Sequence, residues 1–266
     1  MQAGWGQKVI SPEHADQFEL KIQQSQESGF SAYQSIGNFE LIEKLSKEQK
    51  FFQIHSDKLM KTFHAGYPEL PVVSKLIEMP VGSNVKINIH SYQVETIDLK
   101  EKGMDALIFP AQPSKSKSQG KDNRKFHYDK LVYGSDKFIG DELVQVEDLG
   151  VMRYLRFGRL QIAPFKYNPV QNKLKIYNNI QFEVEFSASD HQKAGALIRE
   201  YSNPYFRNAE ENAINSEEKK KKNNQTTSSP VTYVIISDRK FEDALQPLKK
   251  KKKLKGFHVI TEYTDI

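Results

Sequence analysis

The side chains that most often do chemistry form no catalytic pattern in this chain. Its 266 residues include 7 histidines and no cysteine. No two histidines stand at the i, i+4 spacing that puts a metal-binding pair on one helix face, so we expect surface or capping roles for them. The lack of cysteine excludes a thiol nucleophile, cysteine-ligated zinc and disulfides within the chain.

Sequence motifs for nucleotide binding and hydrolysis are absent as well. The chain has no GxGxxG, Walker, HExxH or GxSxG motif. Glu183 and Glu185 form a carboxylate pair, but they lie in the alternating run Ile180–Phe186. Alternation places them together on the polar face of a strand, where a solvated role is expected.

The net positive charge comes from two lysine runs. The formal net charge is +5, and nine lysines lie at Lys219–Lys222 and Lys249–Lys253. The remaining 30 basic residues face 34 acidic ones. A nucleic-acid-binding domain instead spreads basic and aromatic side chains over one face, so we expect no nucleic-acid partner. No apolar run approaches the ~18 residues of a membrane span, and the N-terminus has no apolar signal-peptide region.

Alternating apolar residues dominate the middle of the chain and predict a mainly β fold. Strand patterns are separated by turn signals at 148–150, 167–169 and 178–179. This arrangement indicates an antiparallel sandwich or barrel. The predicted strands are Val85–His90, Tyr92–Ile97, Leu143–Val146, Met152–Phe157, Leu160–Ala163, Leu174–Tyr177 and Ile180–Phe186.

The chain divides by composition into four parts. Residues 1–67 are weakly patterned, and neither helix nor strand is favoured within 32–52. Residues 68–211 form the β-rich part, and the low-complexity stretch 212–230 is expected to be a linker. Residues 231–266 predict a strand, a helix and a strand, a single βαβ unit that cannot form a domain alone.

Several segments resemble the precursors of gingipain-type cysteine peptidases. The most specific is Ala163-Pro164-Phe165-Lys166-Tyr167-Asn168-Pro169, followed by Leu174-Lys175-Ile176-Tyr177. The others are Pro68 to Lys75, Val132-Tyr133-Gly134, Phe138-Ile139-Gly140-Asp141, Leu155-Arg156-Phe157-Gly158, and the run from Tyr233 to Phe257.

The resemblance implies an all-β prodomain that inhibits a caspase-like α/β peptidase, and helps it to fold, until it is cleaved away. The family's catalytic histidine, catalytic cysteine and calcium belong to the part beyond the first βαβ unit, so no cofactor is expected in this chain. The implied partner is a cognate cysteine peptidase domain. The implied location is outside the cell or on the surface of a Bacteroidetes-like bacterium. Relatives differ at Lys249–Lys253, where five lysines weaken the inward face of the helix.

Family prodomains present a basic residue to the peptidase from the segment before the "VYG" motif. Here Arg124, with Lys121 and Lys125 beside it, precedes that motif at a similar distance within the polar loop 112–130. The resemblance thus implies an inhibitory loop. Maturation cleavage is expected in the linker, at the basic residues Lys219, Lys220, Lys221 and Lys222.

Two other functions remain open at this stage. A secreted β-sandwich module for adhesion or carbohydrate binding would show exposed aromatic side chains in a groove. A nucleic-acid-binding protein would use the lysine runs, and its binding would fall steeply as salt rises.

Overall fold

Strands make up most of the described chain. The computed structural model describes residues 7–13, 17–46, 49–61, 64–114, 126–201, 212–216 and 231–264. The strands are β1 (Gln7–Ile10), β2 (Glu19–Gln26), β3 (Gly29–Ser35), β4 (Phe39–Ser46), β5 (Gln49–His55), β6 (Met60–Lys61), β7 (Pro71–Met79), β8 (Asn84–Asp98), β9 (Leu107–Ile108), β10 (Val144–Met152), β11 (Leu155–Ile162), β12 (Phe165–Asn168), β13 (Lys173–Ser187), β14 (Thr232–Ser237) and β15 (His258–Tyr263). The α-helices are α1 (Lys130–Tyr133), α2 (His191–Tyr201) and α3 (Glu242–Leu254).

Mostly antiparallel sheets build the part of the chain before residue 202. One sheet has the order β1-β4-β5-β9, and a second has the order β10-β11-β7-β6. The third has the order β12-β13-β3-β2, with β8 along the other edge of β13. Only the short β5–β9 pairing is parallel within these sheets. The predicted mainly β, antiparallel sandwich is confirmed.

Strand β13 organises the core, because its two halves pack into two different apolar clusters. Leu174 and Ile176 join a cluster with side chains of β1, β4 and β5. Phe182 and Val184 join a second cluster with side chains of β3, β7 and β11. These buried positions all have even numbers, so they lie on one face of the strand. That face of the third sheet is therefore covered by the two other sheets.

The turn expected at 178–179 is wrong, since β13 runs through it as one strand. The pairing with β8 shifts register there, and Asn179 has a positive φ of 51°. Asn178 is buried, and its Oδ1 accepts hydrogen bonds from Ile36 N at 2.7 Å and Asn179 N at 2.9 Å. Its Nδ2 donates to Ile36 O at 3.1 Å. The asparagines thus form a bulge that holds the end of β3.

The turn expected at 148–150 is also a bulge. It lies inside β10, where the pairing with β11 shifts between Asp148 and Gly150. The Asp148 Oδ1 accepts a hydrogen bond from Gly150 N at 2.8 Å. The hairpin turn comes later, at Arg153, which has a positive φ of 61°. The turn after Asn168 is confirmed, because β12 ends there.

The predicted βαβ unit is present, with β14 and β15 paired in parallel. Helix α3 buries none of its residues. Its lysines lie over aromatic rings of the strands: Lys252 Nζ is 4.2 Å from the ring centre of Tyr233, and Lys249 Nζ is 5.5 Å from that of Tyr263. Cation–π contacts of this kind replace apolar packing where the lysine run faces the strands.

Candidate functional site: the base of the predicted inhibitory loop

The basic residues predicted for inhibition and for maturation cleavage lie outside the described residues. These are Arg124, Lys121 and Lys125 in the loop, and Lys219–Lys222 in the linker. Both ends of the loop are described. We use the name "loop base" for residues 66–69, 109–112 and 126–129.

The first end of the loop is held by backbone pairing. Gly66 N donates to Ala111 O at 2.8 Å, and Ala111 N donates to Tyr67 O at 2.8 Å. Glu69 N donates to Phe109 O, also at 2.8 Å. These bonds form a short antiparallel bridge, so the chain enters the loop from a fixed position.

The second end is tied directly to the first. The side chain of Gln112 donates from Nε2 to His127 O at 2.8 Å, and its Oε1 accepts from His127 N at 3.0 Å. Asp129 N donates to Gly66 O at 3.1 Å. The loop therefore leaves and rejoins the fold at one place.

Aromatic rings pack beneath this place. Phe126, from the second end, lies 5.8 Å from the Phe51 ring and 5.9 Å from the Phe109 ring, measured between centroids. Phe51 is fully buried and also contacts Phe109 edge-on at 5.7 Å. Tyr128 stacks on Tyr133 at 4.4 Å. Such contacts resist separation of the two ends.

Helix α1 follows the loop at once and is capped by Asp129. The Asp129 Oδ1 accepts from Leu131 N at 2.9 Å and Val132 N at 3.1 Å, as an N-cap does. The buried hydroxyl of Tyr133 donates to Ile108 O at 2.7 Å. Burial raises the pKa of Tyr133 far above its usual range, so its hydroxyl stays protonated as a donor.

A buried carboxylate, that of Glu69, connects the loop base to neighbouring strands. Glu69 is paired with Lys61 Nζ at 3.1 Å and accepts a hydrogen bond from Gln53 Nε2. Lys44 Nζ lies 3.9 Å from the ring centre of Phe109. Burial lowers the pKa of Lys44, and the neighbouring Glu69 carboxylate opposes that shift. Charge pairing and cation–π contact thus join β4, β5 and β6 to the loop base.

The beginning of the predicted linker is attached to the sheet. Ile214 N donates to Leu76 O at 2.9 Å. Asn215 accepts from Glu78 N at 2.8 Å and donates to Glu78 O at 2.9 Å. Asn215 and Ser216 are both buried. Residues 213–216, the "C-terminal anchor", therefore pack on β7, and the structure differs here from the linker expected over 212–230.

The most specific sequence motif stabilises the fold. Tyr167 donates its hydroxyl to Asn172 Oδ1 at 2.6 Å, and Asn172 Nδ2 donates to Met104 O at 2.8 Å. Asn168 Oδ1 accepts from Gln171 N at 3.1 Å and closes the turn between β12 and β13. The "YNP" residues therefore act as a turn and a buried polar cluster.

The described residues contain no group of three or more His, Cys, Asp or Glu side chains arranged to hold a metal ion. Within the same residues, no helix is both long and apolar enough to span a membrane.

The family is decided by comparison with known proteins. The family model Propeptide_C25 matches residues 12–222. The chain belongs to the Propeptide_C25 family. Lys-gingipain HG66 of Porphyromonas gingivalis is 34% identical over 236 residues, which cover 89% of this chain and 14% of that protein. Gingipain R2 of the same species is 28% identical over 134 residues, which cover 50% of this chain and 17% of that protein.

Two solved structures of gingipain prodomains are similar in fold to this chain. One, described as "Structural insight into zymogenic latency of gingipain K from Porphyromonas gingivalis", aligns with a TM-score of 0.64 and 33% identity. The alignment covers 69% of this chain and all of that chain. The complex of the RgpB pro- and mature domains aligns with a TM-score of 0.60 and 20% identity, over 74% and 97% of the two chains, and supports the fold. The matched part of the chain spans about one seventh of the length of Lys-gingipain.

Proposed function

We propose that this propeptide inhibits a cognate gingipain-type cysteine peptidase by placing the segment between Gln112 and His127 across the active-site cleft. The observation that carries the proposal is the closed loop base, where Gln112 holds both ends of that segment together. A loop with fixed ends loses less conformational freedom on binding than a free peptide, so more of its contact energy appears as affinity.

The recognition chemistry is that of a basic side chain in an acidic pocket. Arg124 offers a planar guanidinium that can donate two parallel hydrogen bonds to a pocket carboxylate. Lys121 and Lys125 add positive charge on either side of it. The same charges favour the approach to an acidic cleft.

The known relatives support a partnership with a peptidase. The gingipain K structure is described in terms of zymogenic latency, and the RgpB structure is a complex of a prodomain with its mature domain. The relatives named above are gingipains, and none of them is an adhesion or carbohydrate-binding module. We therefore favour inhibition of a peptidase over adhesion.

Inhibition kinetics test the role of Arg124. The full chain is titrated against the Lys-gingipain catalytic domain, and an Arg124→Ala variant is compared with it. Loss of a two-fold hydrogen bond to a carboxylate is expected to raise the inhibition constant by roughly 30-fold or more. Lys137→Ala is the control, because Lys137 is an exposed basic residue outside the loop. An unchanged inhibition constant for Arg124→Ala would remove Arg124 from the mechanism.

We further propose that maturation cuts the chain at Lys219–Lys222, directly after the C-terminal anchor. Because Asn215 and Ser216 are buried on the sheet, cleavage beyond them leaves the β-rich part intact. Mass spectrometry of the processed precursor tests this proposal. A new N-terminus outside residues 220–223 would refute it.

Two broader roles complete the proposal. The propeptide assists the folding of its peptidase, which is tested by refolding a denatured peptidase with and without the propeptide. It acts outside the cell or at its surface, in keeping with its relatives from Porphyromonas gingivalis. Detection of the processed chain only in the cytoplasmic fraction would contradict the second role.

A further inference from the structure

A leucine beside the loop base is almost fully exposed. Leu131 keeps 88% of its accessible surface, more than any other large apolar side chain among the described residues. It is the second residue of α1 and follows the predicted loop residue Lys125 by six positions. Single exposed apolar residues are ordinary on protein surfaces, and Leu131 differs from them in how it is held and in what lies beside it.

Leu131 is held in position. Its N–H donates to Asp129 Oδ1, and Asp129 N donates to Gly66 O in the loop base. Two residues later, Tyr133 is buried and its hydroxyl is bonded to Ile108 O. Hydrogen bonds therefore fix the backbone that carries the leucine. An exposed apolar side chain on a fixed backbone is a form that interface anchors take.

Residues on either side of Gly66 in the chain, Ala65 and Tyr67 among them, line an apolar pocket. Its volume is about 440 Å³. Its floor is built from buried side chains that include Leu70, Val72 and Phe165. At its rim, His64 Nε2 lies 3.4 Å from Asp141 Oδ1. An apolar floor with a few polar groups at the edge is the usual construction of a binding pocket.

The pocket and Leu131 both adjoin the loop base. Tyr67 and Pro68 line the pocket, and the backbone of these two residues pairs with the first end of the loop. Gly66 stands in the chain between the pocket residues Ala65 and Tyr67, and its carbonyl accepts a hydrogen bond from Asp129 N, at the N-cap of the helix that carries Leu131. Both features therefore lie beside the place where the loop leaves and rejoins the fold.

We propose that Leu131 and this pocket form a second contact surface for the peptidase, separate from the basic residues of the loop. Leu131 fills an apolar recess next to the peptidase cleft, and the pocket receives an apolar side chain of the peptidase. The inference rests on the proposed inhibition. It adds affinity that does not depend on the charge of the loop.

The test measures the dissociation constant of the full chain for the Lys-gingipain catalytic domain with a blocked active-site cysteine. Leu131→Ser removes the anchor, and Ala65→Trp covers the pocket from its exposed rim. Each change is expected to weaken binding on the order of 10- to 100-fold, as expected for losing one buried apolar side chain. Leu149→Ser is the control, since Leu149 is 44% exposed on β10. Thermal unfolding checks that each variant is folded.

The outcomes separate this inference from the proposed inhibition. Weaker binding by Leu131→Ser and Ala65→Trp, with the control unchanged, supports the surface. If Leu131→Ser binds as tightly as the unchanged chain while Arg124→Ala binds weakly, the surface is wrong and the loop mechanism stands. If Arg124→Ala has no effect while Leu131→Ser does, Arg124 has no part in the mechanism and the surface stands. If the unchanged chain does not bind at all, both are wrong.

Discussion

Removing the Phe126 ring tests whether the loop base is what makes the loop an inhibitor. The ring contacts Phe51 and Phe109, and the Phe126→Ala change deletes both contacts. Each aromatic pair contributes about 0.5–1.5 kcal/mol, so the second end of the loop loses roughly 1–3 kcal/mol of attachment. Binding must then supply up to that amount to order the end again.

The inhibition constant should consequently rise by about 5- to 140-fold, since 1.4 kcal/mol corresponds to a factor of ten. The melting temperature should change little, because Phe126 lies outside the two large apolar clusters. Inhibition assays with the Lys-gingipain catalytic domain measure the first quantity, and differential scanning calorimetry measures the second. Phe138→Ala is a matched control, as Phe138 is a half-buried phenylalanine that contacts Lys175 instead.

An unchanged inhibition constant for Phe126→Ala would refute the argument that a fixed second end contributes to affinity. A loss of unfolding free energy as large as the loss of binding free energy would also count against it. In that case the ring would stabilise the whole fold and have no specific role at the loop.

Two further predictions concern stability. Burial raises the pKa of both Tyr133 and Tyr167 in the folded state. An unfolded tyrosine releases its proton near pH ~10. Above that pH, the unfolding free energy should therefore fall by about 1.4 kcal/mol per pH unit for each tyrosine. Urea unfolding between pH 9 and 11 should show about half of that combined tyrosine contribution in Tyr133→Phe, and an identical slope would contradict the assignment. Asn178→Ala should cost about 3 kcal/mol, because it leaves the N–H and C=O of buried Ile36 without their side-chain partner. Calorimetry should then show a melting temperature lower by roughly 6–12 °C, and a drop below 2 °C would contradict this reasoning.

Strands are predictable from sequence where one face is buried and the other is exposed to solvent. Val85–His90 and Ile180–Phe186 alternate clearly, and both lie in paired strands. Strand β3 escaped prediction because it is central, between β2 and β13, and carries the polar residues Gln34 and Ser35 at buried positions. Polar side chains at core positions remove the apolar–polar alternation from which a strand is predicted.

Asparagines misled the prediction for a related reason. Asn178 and Asn179 are typical turn residues, and their types alone do not show whether the chain reverses. What keeps β13 straight is its long pairing with β8 and the bonds from Asn178 to Ile36, 142 positions away. Long-range contacts of this kind decide between a turn and a bulge.

The loop base also depends on long-range contacts that the sequence does not reveal. The polar composition of the loop located it, and the resemblance pointed to Arg124. The bonds between Gln112 and His127 join residues 15 positions apart, and the ring contact of Phe51 with Phe126 joins residues 75 positions apart. A single sequence carries no signal for such pairs, so the feature that supports the mechanism became visible only in the structure.

The C-terminal anchor limits the distance between the propeptide and the segment that begins at Val231. The 15 residues from Ser216 to Val231 can extend at most about 50 Å, at ~3.5 Å per residue. A peptidase that begins there is confined with the propeptide to a sphere of that radius, which corresponds to an effective concentration of about 3 mM or more. Before cleavage, an inhibitor with only micromolar affinity would keep such a peptidase occupied more than 99% of the time. After cleavage, dilution alone can release it.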